Sequence, residues 1–192
     1  SLKILSLHMV KTDLSRYNNF WYKPGASFLK RAIWYIVNAS VFNSHFPVNS
    51  IKIFLLKFFG AQVGKGVVIK PRVNIKYPWN ISIGSYVWVG EGVWLDSLTT
   101  INIGSNSCIS QGAMLICGNH NYKKATFDLM IGEIILEEGV WIGTGGIVCG
   151  GVSCKSHCVL TAGSVTSSNL EPYSVYRGNP AIKLNDRIIA AD

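Results

Sequence analysis

The spacing of apolar residues along the chain changes near residue 60. Before that point the apolar positions return with helical spacing, and residues 50–60 predict a short helix that ends at Gly60. Residues 27–42 predict an earlier helix whose apolar face consists of Phe28, Ala32, Tyr35, Ile36 and Ala39. We therefore expect residues 1–60 to form a helical segment in which two amphipathic helices pack together.

After that point an aliphatic residue returns every six positions, often followed by glycine, with a small or branched companion four places later. Two-residue insertions lengthen the interval after Ile75 and after Leu95. The repeating residues are Val63, Ile69, Ile75, Ile83, Val89, Leu95, Ile103, Ile109, Leu115, Leu136, Ile142, Val148, Cys154 and Leu160. Their companions include Val67, Val73, Val87, Val93, Ser107, Ala113, Val140, Val152 and Ser164. A six-residue period is typical of a parallel β-helix, in which three short strands make one triangular coil around an aliphatic interior. We expect each glycine to ease the turn at a corner.

The period fails once inside this array, between Leu115 and Leu136. We therefore predict a β-helix over residues 61–166 with an extruded loop at 116–135, and rigid scaffolds commonly carry functional residues on such loops. This loop contains His120. Residues 167–192, which Pro and Gly interrupt, are predicted to be a tail that caps the open end of the column.

Composition and charge narrow the protein class. The chain has 192 residues, 48% hydrophobic and 15% charged, which predicts one folded domain rather than a disordered segment. The formal net charge of +8 favours anionic partners, which include nucleic acid, an acidic membrane face and a phosphorylated cofactor. Both predicted helices mix Lys and Arg with bulky apolar residues, so they could rest on a membrane or pack against the column.

Five cysteines form no CxxC pair and leave an odd number, which argues against a disulfide framework and against a structural zinc site. A reduced, cytoplasmic setting is expected. No run of about 18 apolar residues is present, so the protein is expected to be soluble or at most peripheral to a membrane.

Several motifs resemble those of the xenobiotic and sugar O-acetyltransferases, which are built on hexapeptide repeats. They are GNHNY at 118–122, VWIG at 140–143, TAGSV at 161–165 and RGNPA at 177–181. The resemblance is closer still to the colanic acid biosynthesis acetyltransferase branch, through the segments at 13–25, 55–67, 77–84 and 109–113. It implies a left-handed β-helix, a homotrimer, acetyl-CoA bound between neighbouring columns and a saccharide acceptor. Neither nucleic acid nor a metal is expected.

The resemblance also implies roles for individual residues. His120 matches the catalytic histidine, the general base in a direct transfer from acetyl-CoA to a sugar hydroxyl. Asn121 follows it where an acidic residue is expected, so Glu91 or Asp96 could orient the ring instead. Asp96 and Asn121 are candidate acceptor contacts. The candidate cofactor contacts are Trp141, Gly143, Thr144, Ala162, Gly163 and Ser167, with Lys183, Arg177 or Arg187 for the phosphates.

Three alternatives stay open at this point. The first is a non-catalytic scaffold on the same column. The second is a zinc hydratase of the carbonic-anhydrase type, which needs three converging histidines, whereas the four present are scattered from His8 to His157. The third is a nucleophilic role for Cys117, for which a small buried thiol is the commoner use. His157 is expected to be structural, and His8 and His45 match no motif.

Overall fold

The structure is a computed structural model that describes residues 10–191, in which a helical segment precedes a column of short strands. The helices are α1 (Phe28–Val37) and α2 (Asn49–Phe58). Single helical turns occur at Leu14–Arg16, Asn38–Phe42 and Pro78–Asn80. Of the helices in residues 10–191, none has the length and apolar character needed to traverse a bilayer.

Nearly all the strands belong to the column. Before the extruded loop they are β1 (Gln62–Val63), β2 (Val68–Ile69), β3 (Asn74–Ile75), β4 (Ile81–Ile83), β5 (Trp88–Val89), β6 (Trp94–Asp96), β7 (Ile101–Ile103), β8 (Cys108–Ile109) and β9 (Met114–Ile116). The loop contains β10 (Gly118–His120) and β11 (Leu129–Ile131). After it come β12 (Ile134–Leu136), β13 (Trp141–Ile142), β14 (Ile147–Cys149), β15 (Ser153–Cys154), β16 (Val159–Leu160), β17 (Val165–Thr166), β18 (Ser174–Gly178) and β19 (Ala181–Asp186).

The strands outside the extruded loop form three sheets, which are the three sides of the column. Their pairings are parallel except that of β18 with β19. The first sheet has the order β1-β4-β7-β12-β15, the second β19-β18-β16-β13-β8-β5-β2, and the third β17-β14-β9-β6-β3. Successive strands of the chain lie on successive sides, so each group of three strands completes one coil. This confirms the predicted parallel β-helix.

The interior of the column consists of the residues that the six-residue period identifies. In the first sheet Ile103 lies between Ile83 and Leu136, with their Cα atoms in register. Every predicted repeat residue is buried except Val63, which is half-buried in the first strand, and all the named companions are buried. The structure adds Ile81 and Ile101, which belong to the two-residue insertions, and Ile134, at the end of the extruded loop. All three lengthen strands of the first sheet.

The glycines that follow the repeat residues have a different role from the one expected. A Cβ on Gly84 would lie 2.5 Å from the backbone N of Ser105, and one on Gly104 would lie 2.5 Å from the carbonyl C of Glu137. Glycine is required there because the next coil approaches too closely for a side chain. The left-handed backbone of the corners falls elsewhere, directly before the companion residues, at both glycines and residues such as Asn106 (φ +60°).

The helical segment covers the open end of the first coil. The free edge of this coil carries backbone groups with no preceding strand to pair with. Asn49 accepts a hydrogen bond from the Ile69 N–H (2.8 Å) and donates one to the Val67 carbonyl (2.9 Å). Asn38 accepts from the Ile75 N–H (3.0 Å), and the Trp34 indole donates to the Ile75 carbonyl (2.9 Å). These side chains complete the backbone pairing of the edge strands.

The predicted inner face of α1 is therefore wrong. Phe28, Tyr35 and Ile36 are 79%, 75% and 66% exposed, and Ala39 is also exposed. The helix is rotated so that Trp34 points inward, where its ring lies 5.1 Å from that of Phe59 and 5.2 Å from that of Phe42. The rotation of α1 is determined by its hydrogen bonds to the edge of the column. The spacing of apolar residues gives no sign of these bonds.

Beyond Thr166 the chain continues along the column. Leu170 forms a bridge with Cys154, and β18 pairs in parallel with β16. β19 then returns antiparallel to β18 and forms the outer strand of the second sheet.

Candidate functional site

The interruption of the repeat forms an antiparallel hairpin that carries His120. β10 pairs with β11, so that Gly118 lies opposite Ile131 and His120 opposite Leu129. The chain leaves the column after β9 of the third sheet and re-enters it at β12 of the first. The hairpin therefore projects from the corner between these two sheets. Its outer end is closed by the Asn121 N–H donating to the Asp128 carbonyl (2.8 Å).

The backbone carbonyl of Phe127 orients the His120 ring. It lies 2.9 Å from Nδ1. A carbonyl oxygen only accepts hydrogen bonds, so Nδ1 carries the proton, and the neutral ring keeps the lone pair of Nε2 for another group. The Phe127 ring also stacks on His120, with centroids 4.4 Å apart and planes 9° apart. Phe127 has a left-handed backbone (φ +52°) in the turn that precedes β11.

The carboxylates suggested as partners for His120 are engaged elsewhere. Glu91 lies 3.8 Å from Arg72 in an exposed ion pair. Asp96 is buried at the end of β6, where its Oδ2 accepts the Gly118 N–H (3.3 Å) and its Oδ1 lies 3.4 Å from Lys76 Nζ. Asp96 therefore anchors the base of the hairpin rather than orienting the imidazole.

Asn121 is also used within the hairpin. Its side-chain oxygen accepts the Lys123 N–H (3.1 Å), while the side chain of Lys124 forms an ion pair with Asp128 (2.8 Å). Hydrogen bonds from the side chains of Lys124 and Thr126 hold the pKa of the Asp128 carboxyl below its usual value. These contacts shape the turn that separates His120 from Phe127.

The N-terminal segment holds the hairpin from outside. The Asp13 N–H donates to the Ala125 carbonyl (2.8 Å), and the Tyr17 ring lies 5.7 Å from that of His120. Further along, the Tyr22 hydroxyl donates to the Leu98 carbonyl (2.7 Å). Its burial raises the pKa of Tyr22 well above the usual phenol value, so this hydroxyl remains a donor at neutral pH.

Cys117 has the character of a buried structural thiol. Its side chain is 1% exposed and its Sγ lies 3.8 Å from the Thr99 carbonyl. Burial raises the pKa of the thiol to about 12. A thiol that stays protonated at neutral pH is a poor nucleophile, which argues against the covalent alternative.

The other described histidines lie apart from this site. His45 is exposed in the connection between α1 and α2, and His157 packs on Tyr173 with ring centroids 4.8 Å apart, while His8 lies outside the described residues. Within residues 10–191, no three His, Cys, Asp or Glu side chains come close enough together to hold a metal ion.

Four of the predicted cofactor contacts meet at another corner of the column. Gly143 and Thr144 connect β13 to β14, and Ala162 and Gly163 connect β16 to β17, so both turns lie between the second and third sheets. The Gly163 N–H donates to the Thr144 carbonyl (2.8 Å), which stacks one turn on the other. Gly143 has no room for a side chain, since a Cβ would lie 2.6 Å from the Ala162 nitrogen.

The remaining three predicted contacts are spread over the column. Trp141 is 48% exposed on the second sheet, and its indole N–H donates to Ser110 Oγ (3.0 Å). It lines a groove of about 470 Å³, which Arg187 also lines. Ser167 follows β17 and lies at the corner from which the hairpin projects, two coils further along. Lys183 is on β19, where an ion pair with Asp186 (2.7 Å) raises its pKa.

A second cavity, of about 430 Å³, lies between α1 and the third sheet. Its wall includes Arg31, Lys76 and Trp94, of which Lys76 approaches the hairpin anchor Asp96. The Arg31 Nε atom is buried and forms no hydrogen bond with the described residues. The apolar pattern of the sequence does not predict this cavity, because the cavity depends on the rotation of α1.

Comparison with known proteins places the chain in a family. It is 37% identical over 165 residues to the colanic acid biosynthesis acetyltransferase WcaF of Escherichia coli K12, which covers 85% of this chain and 91% of WcaF. The chain belongs to the hexapeptide-repeat acetyltransferases. Within this acetyltransferase family it is also 27% identical over 139 residues to galactoside O-acetyltransferase of E. coli K12, covering 69% and 68% of the two chains. No family model matches the sequence.

Solved structures agree on the fold of this acetyltransferase. The hexapeptide-repeat acetyltransferase VCA0836 of Vibrio cholerae, solved with acetyl coenzyme A, superposes with a TM-score of 0.77 at 20% identity, covering 86% of this chain and 92% of VCA0836. A galactoside acetyltransferase solved with coenzyme A gives a TM-score of 0.74 at 23% identity, with coverage of 82% and 80%. The 37% identity to WcaF confirms the predicted membership of the hexapeptide-repeat acetyltransferases.

Proposed function

We propose that this protein transfers an acetyl group from acetyl-CoA to a hydroxyl of a saccharide, with His120 as general base. The observation that carries the proposal is the 2.9 Å contact between His120 Nδ1 and the Phe127 carbonyl. It leaves Nε2 as the atom able to accept a proton, which is what an alcohol nucleophile requires at neutral pH. The stacked Phe127 ring holds the imidazole in one orientation.

The proposed chemistry needs no covalent acyl-enzyme. Nε2 of His120 accepts the proton of the acceptor hydroxyl while the oxygen forms a bond to the thioester carbonyl carbon. The carbon–sulfur bond then breaks, and the same proton passes from Nε2 to the leaving sulfur. The products are an O-acetyl saccharide and free coenzyme A, and His120 returns to its starting state. The raised pKa of the Cys117 thiol supports this direct route.

We propose that the site forms between neighbouring columns of a homotrimer. The hairpin lies at the corner between the third and first sheets, whereas the stacked turns at Gly143–Thr144 and Ala162–Gly163 lie at the corner between the second and third. The third sheet, about five residue steps or roughly 15 Å wide, separates these corners within one chain. A neighbouring copy can bring the second corner of its column to the hairpin of the first.

In this arrangement Trp141, Gly143, Thr144, Ala162 and Gly163 would line the pantetheine arm of acetyl-CoA. Ser167 and Lys183 would lie toward its nucleotide end, where an exposed lysine suits phosphate even though Asp186 competes for it. Asp96 and Asn121 would border the acceptor, and the cavity beside α1 extends that side of the site.

The name of the WcaF relative supports a role in surface polysaccharide biosynthesis. All five cysteines are free thiols, as suits the cytoplasm.

Replacement of His120 by Ala tests the assignment. We expect kcat for acetyl transfer to fall by about 10²–10⁴-fold, because the proton acceptor is lost, while calorimetry still detects acetyl-CoA binding. His45→Ala is the matched control, since His45 is exposed and lies between the helices. Cys117→Ala should also remain active. Unchanged turnover in His120→Ala would refute the general-base role.

Substrates are tested with the wild-type protein and a panel of cell-surface saccharides in an acetyl-CoA consumption assay. Turnover of any of them would support the proposed reaction. Acetyl-CoA binding without turnover of any saccharide would instead support the non-catalytic scaffold.

A further inference from the structure

The outward side of α1 is apolar, although a solvent-facing helical surface is normally polar. Leu29, Ile33 and Ile36 are 67%, 46% and 66% exposed. The polar side chains of this segment point inward instead: Asn38 is hydrogen-bonded to the first coil, and Arg31 and Lys30 are half-buried. The helix cannot rotate to bury its apolar side without breaking the Trp34 and Asn38 hydrogen bonds to Ile75.

Helix α2 repeats this inversion. Ile51, Phe54 and Phe58 follow one another at helical spacing and are 43%, 65% and 72% exposed. On the opposite side Lys52 is fully buried, where its Nζ donates to the Lys70 carbonyl (2.9 Å), and burial lowers its pKa. We call the outward residues Leu29, Ile33, Ile36, Ile51, Phe54 and Phe58 the cap face.

Charge distinguishes the region around the cap face from the rest of the molecule. Residues 14–90 contain no Asp or Glu, although the whole chain has 10. The same stretch contains ten basic residues, which are Arg16, Lys23, Lys30, Arg31, Lys52, Lys57, Lys65, Lys70, Arg72 and Lys76. Lys57 lies exposed between Phe54 and Phe58 on α2. An apolar face with an exposed lysine beside it and no acidic residue on either helix complements an anionic lipid surface.

We propose that the cap face docks on an anionic phospholipid bilayer, with the bulky side chains of α1 and α2 inserted at the level of the headgroups. The helices cover the end of the column, because their hydrogen bonds go to the free edge of the first coil. The trimer of the proposed function, on which the next step rests, brings the sides of the columns together and leaves this end uncovered. Threefold symmetry would then place three cap faces on the same side of the trimer, so that they bind one bilayer together.

The experiment is co-sedimentation of the full chain with vesicles at low salt. We expect binding to vesicles of equimolar phosphatidylglycerol and phosphatidylcholine, and weak binding to phosphatidylcholine alone. The double variant Phe54→Ser with Phe58→Ser should bind at least about tenfold more weakly, since two inserted rings are lost. Lys57→Glu should weaken binding to the anionic vesicles by about fivefold or more.

The control variant is Ile188→Ser with Ile189→Ser, which removes two exposed apolar side chains (92% and 53%) that follow β19, outside the cap face. It should sediment like the wild type. All variants should transfer acetyl groups to a water-soluble acceptor at the wild-type rate, so a failure of the proposed reaction is seen separately from a failure of docking.

Three outcomes would overturn the proposal. The wild type could stay in the supernatant with both kinds of vesicle. The Phe54 and Phe58 double variant could bind as well as the wild type. Light scattering without vesicles could show that this variant changes the number of copies in the assembly, in which case the cap face contacts another copy of the chain.

Discussion

The column and the helical segment that covers its end contain the same kinds of apolar side chain but orient them oppositely. In the column Leu115 is fully buried, whereas in α2 Phe54 is 65% exposed. A strand alternates its side chains between two sides, so the six-residue period determines which of them face inward. The helices are apolar on more than one side, and the unpaired edge of the first coil determines which side packs against the column. Apolar spacing thus predicts burial only where the backbone geometry repeats.

The largest effect expected from this contrast is at the centre of the column. Leu115→Ala should lower the free energy of unfolding by about 3 kcal/mol, because the neighbouring coils cannot close the cavity. Phe54→Ala should change it by less than about 0.5 kcal/mol, because its ring is already in solvent. Chemical denaturation followed by circular dichroism measures both. Equal losses would mean that the cap face is packed in the folded protein.

Two glycines of the column test whether close approach or corner geometry requires glycine. Gly104→Ala should cost about 2–3 kcal/mol, because the new Cβ would lie 2.5 Å from the carbonyl C of Glu137. Gly112→Ala should cost only about 1 kcal/mol: its backbone is left-handed (φ +65°), but nothing lies within 4 Å of the added carbon. Thermal unfolding of the two variants shows which substitution lowers the stability more. The reverse order would show that corner strain dominates.

The smallest of the three expected stability losses concerns the side of α2 that faces the column. Asn49→Ala should cost about 2 kcal/mol, because the Ile69 N–H and the Val67 carbonyl lose their partners at the edge of the first coil. Asn43→Ala is the matched control, since Asn43 is exposed just after the helical turn, and it should be nearly neutral. Similar stabilities of the two variants in urea would contradict the role assigned to the free edge.

The hairpin and His120 could be predicted, whereas the orientation of the ring could not. An interruption in a strict repeat is visible in the sequence, and a histidine within it can be matched to a family motif. The partner of Nδ1 is a backbone carbonyl, at Phe127, and backbone groups leave no signal in residue identity. The same holds for Asp96, because its hydrogen bond from the Gly118 N–H, which anchors the hairpin, involves a backbone group.

The sequence by itself determined the column, its interior and the place where it opens, because each coil repeats the same local geometry and each apolar residue faces the same axis. It also determined the family, through motifs whose order follows the coils. Only the tertiary structure decided the rotation of α1 and α2, the tautomer of His120 and the separation of the two corners proposed to form the site. Each of these depends on backbone groups or on residues distant in the chain, which meet only when the coils stack.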